Sequence, residues 1–333
     1  MTRYLVTGAT GGLGRNAVQA LLAAGCRVRA TGRDRVAGAS LAGAGAEFVP
    51  LDLAQADAAA LAPLLDGVDV VWHCAALASP WGPRADFVRA NVDATRALVA
   101  AAAAAGAARF IYVSTPAVYF DFRHRYDVRE EALAAAPVNH YAATKLQAES
   151  FVRAAGTITA MRCAILRPRA IFGPHDRVLV PRLLDLHRKF GGTLPLPRGG
   201  RTVLDITYVD NVVHALQCAS DARLPAGAPV YNVSNGDPVE LRDVVVRLFG
   251  ALGRRHRIAD VPYPVMAGAA RVAERLAAVR RKEPSLTTYG IGALAFDMTL
   301  DIGRARAELG YAPQVGVVAG VQRTAAWLRE HHG

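Results

Sequence analysis

Short apolar runs alternate with helical periodicity through the first half of the chain. Arg3–Thr7, Arg27–Thr31, Glu47–Pro50, Asp69–Cys74, Arg109–Ser114 and Thr159–Leu166 are short and dominated by apolar side chains, as in strands buried on both faces. Between them the spacing predicts helices over Gly12–Ala24, Ala56–Leu65, Pro83–Ala105 and Asn139–Ala155. Asp34–Ala46 is rich in glycine and reads as a poor helix. Strands alternating with helices imply βαβ units, right-handed crossovers and a doubly wound parallel sheet covered on both faces, hence an α/β fold.

The pattern changes after Arg167. Prolines and glycines cluster in Arg167–Pro174 and Gly191–Gly200, followed by a strand (Val203–Thr207), a helix (Val209–Ala219), a strand (Pro229–Ser234) and a largely helical remainder. The expected division is a nucleotide-binding domain, 1–170 plus about 205–235, and a smaller, mostly helical substrate lobe, about 171–204 plus 236–333. No internal repeat is evident.

The first strand runs into Thr7-Gly8-Ala9-Thr10-Gly11-Gly12-Leu13-Gly14, which opens the first helix. Gly8 permits a tight turn, Gly11 lets backbone approach a pyrophosphate, and Gly14 allows close helix–strand packing. Free N–H groups and a positive dipole at the helix start favour phosphate. With Thr10, Gly12 and Leu13 these residues form the candidate cradle of a Rossmann-type dinucleotide site. The acidic position that would bond the adenosine ribose, 18 residues after Gly14, is Gly32, and Arg33 follows. An arginine there suits a 2′-phosphate, so NADP(H) is favoured over NAD(H). Asp34 leaves the alternative open, because a small backbone shift would return a carboxylate to the ribose.

Tyr141 and Lys145 stand four apart in a predicted helix and share a face. All but three of the 39 basic residues are arginines, so a lysine here asks for a chemical reason. A lysine ammonium is a compact charge, and one beside a phenol would draw the tyrosine from about 10 toward neutrality. Such a phenol exchanges protons at pH 7.

Composition narrows the field. Hydrophobic residues at 52% and charged ones at 20% describe a globular chain of 333 residues. Cys26, Cys74, Cys163 and Cys218 lie far apart without metal-ligand spacing, so no metal is expected and a reduced, cytoplasmic setting is. The 12-residue low-polarity stretch Ala97–Ala108 is too short to span a bilayer. A net charge of +11 is spread over scattered arginines with no recognition motif, which suits an anionic small ligand better than nucleic acid. Arg280-Arg281-Lys282 beside amphipathic Val265–Val279 allows at most peripheral membrane contact.

With these motifs the chain resembles the extended short-chain dehydrogenase/reductase family almost end to end. The likeness includes Asp52-Leu53, His73-Cys74-Ala75-Ala76, Asn91-Val92 and Val113-Ser114-Thr115-Pro116-Ala117-Val118-Tyr119. It continues through Leu166-Arg167-Pro168, Ile171-Phe172-Gly173-Pro174, Tyr208-Val209-Asp210-Asn211 and Tyr231-Asn232-Val233-Ser234-Asn235-Gly236. The resemblance implies that Asp52 and Leu53 flank the adenine, that Ala75 and Ala76 run along the cofactor, and that Lys145 also holds the nicotinamide ribose. Pro168 and its neighbours, Ile171 among them, would line the nicotinamide, with Asn91 and Ser114 as further cofactor residues. Asp52 as a turn residue and Asn91 as a helix cap are the alternatives. The implied catalytic set is Thr115, holding the substrate oxygen, Tyr141, moving its proton, and Lys145, with Ser114 the rival hydroxyl. The family habit is a homodimer through Pro83–Ala105 and Asn139–Ala155.

Departures from the family pattern narrow the chemistry. Sugar dehydratases carry Asp-Glu after the catalytic Thr, where this chain has Pro116 and Ala117. Nucleotide-sugar enzymes usually place an Arg on the diphosphate where this chain has Leu204. Ser114-Thr115-Pro116, Pro80-Trp81-Gly82 and Thr207-Tyr208-Val209-Asp210-Asn211 look like the 3β-hydroxysteroid dehydrogenase branch, and closest to bacterial 2-alkyl-3-oxoalkanoate reductases. The expectation is interconversion of a secondary alcohol and a ketone on a small hydrophobic substrate, a 3-oxo acid or a sterol-like compound. Trp81 and His140 are substrate candidates beside Thr115, and Arg123, His124, His140 and Arg182 are candidates for a substrate carboxylate. The rivals are a nucleotide-sugar epimerase and a non-catalytic NADP-binding sensor.

Overall fold

The computed structural model describes residues 1–280 and 284–332. In chain order, β1 (Arg3–Thr7), α1 (Gly12–Ala23), β2 (Arg27–Gly32), α2 (Arg35–Gly43), β3 (Glu47–Pro50), α3 (Ala58–Leu65) and β4 (Val70–His73) come first. Helix α4 (Arg84–Phe87), a π-helical turn (Val88–Asp93) and α5 (Ala94–Ala104) run on from one another where one helix was expected. Then come β5 (Arg109–Val113), a 3-10 turn (Pro116–Tyr119), β6 (Arg125–Val128), α6 (His140–Ile158), β7 (Arg162–Pro168) and β8 (Ile171–Phe172). Next are α7 (Leu179–Lys189), β9 (Thr193–Leu196), β10 (Val203–Leu204), β11 (Thr207–Tyr208), α8 (Val209–Asp221), β12 (Val230–Val233) and β13 (Val239–Glu240). The chain closes with α9 (Leu241–Ala251), β14 (Arg257–Asp260), α10 (Tyr263–Arg280), α11 (Thr288–Ala295), β15 (Met298–Leu300), α12 (Gly303–Leu309) and α13 (Val317–His332).

Seven parallel strands form the central sheet in the order β12-β7-β5-β4-β1-β2-β3. Side chains alternate across it, as period-two geometry requires. Leu5, Phe110 and Tyr112 join the core with Leu98 of α5 and Val152 of α6. Val6, Ile111 and Val113 face the opposite core, with Val18 of α1 and Leu216 of α8. Each fully buried aliphatic side chain contributes about 1.5–3 kcal/mol. The strand order reverses between β1 and β4, and ligands of such sheets bind outside the carboxyl ends of the strands at that switch point.

Three expectations needed correction. Residues 35–43 are helical despite their glycines. Asp34 caps that helix by accepting from the Ala37 N–H, and Gly38 lies so close to the Phe48 ring that a Cβ would fall 2.1 Å from it. Packing on β3 therefore overrides the low propensity. The strand expected over 203–207 is split into β10 and β11, which pair with different partners. The intervening Asp205 is buried and its Oδ2 accepts the Leu300 N–H of β15. Finally, the later segments carry more strand than expected: β13-β10-β15-β6 form a second sheet, with β11-β8 and β14-β9 as two-stranded pairs.

Helix α10 leaves Val265, Val272, Leu276 and Val279 exposed. Of the basic run beside it, Arg281 and Lys282 lie outside the described residues. No described helix is long and apolar enough to cross a membrane, and no described His, Cys, Asp and Glu residues group as a metal site.

Candidate active site

The glycine loop has the shape a pyrophosphate needs. Gly8 adopts φ +65, and a Cβ there would fall 2.7 Å from the Ala75 backbone. A Cβ on Gly14 would fall 2.2 Å from the Gly8 carbonyl oxygen, and one on Gly12 2.7 Å from that of His175. Helix α1 starts after Gly11 with no side-chain cap, so its first N–H groups remain available to an anion. The Arg15 Nε and Arg177 Nη2 donate to the Thr10 carbonyl oxygen, which brings two guanidinium groups to the loop. These features fit a dinucleotide, and Leu13 packs at the loop's base against both adjoining cores.

At the tip of β2, Arg33 is exposed and Asp34 is occupied. The Asp34 carboxylate caps α2, and that hydrogen bond from Ala37 holds it below the usual carboxylate range. Asp52 accepts from the Ala54 N–H and from Gln55 Nε2, a turn after β3, with Leu53 packed against the core beside it. Ala75, its N–H donated to Thr7 Oγ1, continues from β4 toward Ala76 along the same edge. Asn91, in the π-helical turn, accepts from the Leu77 N–H and donates to the Leu77 carbonyl and to Thr144 Oγ1. Its amide is fully engaged by protein, so it clasps the loop after β4 to α6 rather than facing a ligand.

The hydroxyl, phenol and ammonium do come together. Asn139 starts α6 by accepting from the Ala142 N–H, which sets Tyr141 and Lys145 on the face turned to β5. Thr115 Oγ1 accepts from the Ala117 N–H, and its hydroxyl lies close enough to the Tyr141 phenol to influence its proton affinity. Lys145 is buried, with Nζ donating to the Val113 carbonyl at 2.6 Å and lying 4.0 Å from the centre of the Tyr112 ring.

The proton affinities differ from expectation. Burial pushes the Tyr141 phenol up to about 12, against the lowering effect of the nearby Thr115 hydroxyl. Burial lowers Lys145 to about 7, opposed by the Glu149 carboxylate. Lys145 turns its charge toward Val113 and Tyr112 rather than onto the phenol, so the protein alone holds Tyr141 as a proton donor.

Ser114 is spoken for: its Oγ donates to Glu149 Oε1 at 2.6 Å. Glu149 is also paired with Arg167 through Nε at 2.8 Å and Nη2 at 2.6 Å, both side chains buried. Arg167 Nη1 donates to Tyr119 Oη, which donates to Asn232 Oδ1. Arg167, Tyr119 and Asn232 belong to the motifs that carried the resemblance, and here they form a buried polar frame behind Lys145. Glu149 was missed from sequence. Its signal was present, a carboxylate one turn beyond Lys145 on the same helix face.

Pro168 ends β7, and Ile171 opens β8 three residues on. Trp81 is half-buried in a loop fastened through Ser79 Oγ. His140 is exposed, its ring 6.2 Å from that of Phe87. Among the carboxylate candidates, His124 already pairs with Asp297 at 3.0 Å, and Arg123 and Arg182 are exposed.

The profile of the NAD dependent epimerase/dehydratase family matches residues 4–234. The chain is 44% identical to the uncharacterized protein YbjS of Escherichia coli, over 99% of this chain and 98% of that one. It is 34% identical to a 2-alkyl-3-oxoalkanoate reductase of Stenotrophomonas maltophilia, over 97% and 98% of the two chains. Among solved structures, a dTDP-glucose 4,6-dehydratase from Streptomyces venezuelae, with NAD and TYD bound, superposes with a TM-score of 0.77 at 26% identity, covering 100% of this chain and 98% of that one.

Proposed function

The chain belongs to the NAD dependent epimerase/dehydratase family, the extended short-chain dehydrogenases/reductases, and we propose that it is an NADP(H)-dependent reductase interconverting a ketone and a secondary alcohol on a hydrophobic substrate. The observation that carries this reading is the buried Lys145–Val113 hydrogen bond, which fastens the helix bearing Tyr141 to the carboxyl end of β5, two residues before Thr115.

The cofactor would supply a hydride to the carbonyl carbon or accept one from the alcohol. Thr115 holds the substrate oxygen by its hydroxyl. Tyr141 gives that oxygen a proton in reduction and takes it back in oxidation. Lys145 fixes the end of β5 and contributes positive charge near the ribose hydroxyls. Gly8, Thr10, Gly11, Gly12, Leu13 and Gly14 take the pyrophosphate, Asp52 and Leu53 the adenine, and Ala75, Ala76, Pro168 and Ile171 the remainder. Arg33 takes the 2′-phosphate, a preference supported by the engagement of Asp34 as a helix cap. Trp81 and His140 are assigned to the substrate's edge, and a homodimer through α5 and α6 follows the family habit.

A nucleotide-sugar reading has the structural likeness to a sugar dehydratase in its favour. Three positions weigh against it. Pro116 and Ala117 carry no acid or base after Thr115, and Leu204 is buried in an apolar core, where it offers a diphosphate nothing. The test is an NADPH-oxidation screen of 3-oxo acids and esters, steroids and nucleotide sugars. Turnover of the first two groups is expected, and activity confined to nucleotide sugars overturns the reading.

A further inference from the structure

Tyr289, which the reaction chemistry does not use, lies within electrostatic range of Tyr141 and of two arginines, Arg169 and Arg182. Arg169 follows Pro168 at the carboxyl end of β7. Its Nε is buried with no hydrogen-bond partner among the described residues, and its Nη1 lies 3.1 Å from the Met298 sulfur, a weak acceptor. Asp205 is within electrostatic range, yet its Oδ2 is turned to the Leu300 N–H. A guanidinium withdrawn from water is costly unless an anion or full hydrogen bonding compensates it. Desolvation accordingly lowers the pKa of Arg169.

Tyr289 links this arginine to the reacting atoms. It sits in the first turn of α11, whose start is held by Glu274 accepting from the N–H and Oγ1 of Thr288. Its ring packs edge-on to Phe120, 5.5 Å between centroids, on the segment that carries Thr115. Tyr141, Arg169 and Arg182 are each within electrostatic range of its phenol. Arg182 is exposed on α7, at the rim.

We propose that Arg169, with Arg182 at the rim and the Tyr289 hydroxyl between them, binds a carboxylate of the substrate, so that the enzyme acts on 3-oxo and 3-hydroxy acids as free anions rather than on esters or neutral sterols. The inference rests on the reductase reading above. In such an acid the carboxyl carbon lies roughly 2.5 Å from the reacting carbon, so its anion must be met close to Tyr141. A planar guanidinium with an unpaired Nε–H meets a carboxylate in two-point geometry.

The experiment compares oxidation of a long-chain 3-hydroxy acid and its methyl ester with NADP+. In that step the carbinol C–H bond breaks and hydride goes to the nicotinamide. The hydroxyl proton passes to the Tyr141 phenolate, leaving ketone, NADPH and the neutral phenol. The wild type is expected to favour the acid. Arg169→Met should lower kcat/KM for the acid by roughly 100-fold with little change for the ester. Arg182→Ala, an exposed change that spares folding, should lower the acid several-fold and leave the ester alone. Equal losses for acid and ester, or a wild-type preference for the ester, overturn the inference while leaving the reductase reading intact. If neither compound turns over, the reductase reading fails separately. Calorimetric binding of the 3-hydroxy acid to the NADP+-loaded protein then decides the site: weaker binding in Arg169→Met supports it, and equal or absent binding overturns it.

Discussion

Lys145 Nζ donates to the Val113 carbonyl oxygen at 2.6 Å, joining α6 to the last residue of β5. Ser114 and Thr115 follow at once, so this bond positions the hydroxyl that reaches Tyr141. The ammonium is enclosed between that carbonyl and the Tyr112 ring, a space suited to a compact charge.

Lys145→Arg is therefore expected to rescue little. Its rigid fork cannot reproduce a single donor aimed at Val113. We expect both Lys145→Arg and Lys145→Met to lower kcat/KM by about 10²–10⁴-fold, the range for a positioned proton-transfer assembly. Steady-state kinetics with NADPH measure it, and activity in Lys145→Arg near that of wild type would remove the geometric argument.

Tyr141→Phe removes the proton carrier while leaving the ring. Turnover should fall by about 10²–10⁴-fold with NADPH affinity, read from fluorescence titration, unchanged. The phenol is pushed up to about 12, so its protonated form dominates throughout the neutral range. Reduction, which consumes that form, should not be limited by Tyr141 near neutrality; it should instead fall as pH rises through about 7 and the Lys145 ammonium is lost. Oxidation, which needs the phenolate, should climb as pH rises toward 12. A wild-type oxidation rate that declines through the alkaline range would contradict this assignment.

Arg33→Ala tests the cofactor preference. Losing a charge-assisted contact to the 2′-phosphate should cost about 10–100-fold in kcat/KM for NADPH and leave NADH nearly untouched. Asp34 should not compensate, because its carboxylate is engaged in capping α2. Identical effects on the two cofactors would place Arg33 away from the phosphate.

The buried pair of Glu149 and Arg167 should behave as a unit. Either single change, Glu149→Gln or Arg167→Met, leaves a partner uncompensated in the interior and should destabilise folding by about 3–5 kcal/mol. The double change should cost less than the sum of the two. Urea unfolding of the four proteins measures the coupling, and strict additivity would show that the pair is not coupled.

Much of the site was legible because its determinants act over short stretches of chain. Steric demands at Gly8 and Gly14 arise within one turn, and the four-residue spacing of Tyr141 and Lys145 places both on one helix face whatever the helix packs against. The alternating apolar runs likewise announced a parallel sheet before its order was known. The glycines of α2 misled the reading, since Gly38 answers to Phe48 on a neighbouring strand rather than to its own segment. The tuning of Tyr141 misled it too, because helical spacing says nothing about where a flexible lysine sends its charge.

Proton affinity and charge pairing depend on which distant segments close over a side chain. Tyr119 meets Asn232 across 113 residues, and Arg169 comes within electrostatic range of Tyr289, far along the chain. The amino-acid order by itself determined the sheet, the tight glycine turn and the shared helix face of Tyr141 and Lys145, through periodicity and backbone sterics that are local. Only the tertiary structure decided which arginine is satisfied by a carboxylate, as Arg167 is, and which keeps a buried donor free, as Arg169 does. Desolvation and pairing are properties of an enclosure, and an enclosure exists only once the chain has folded.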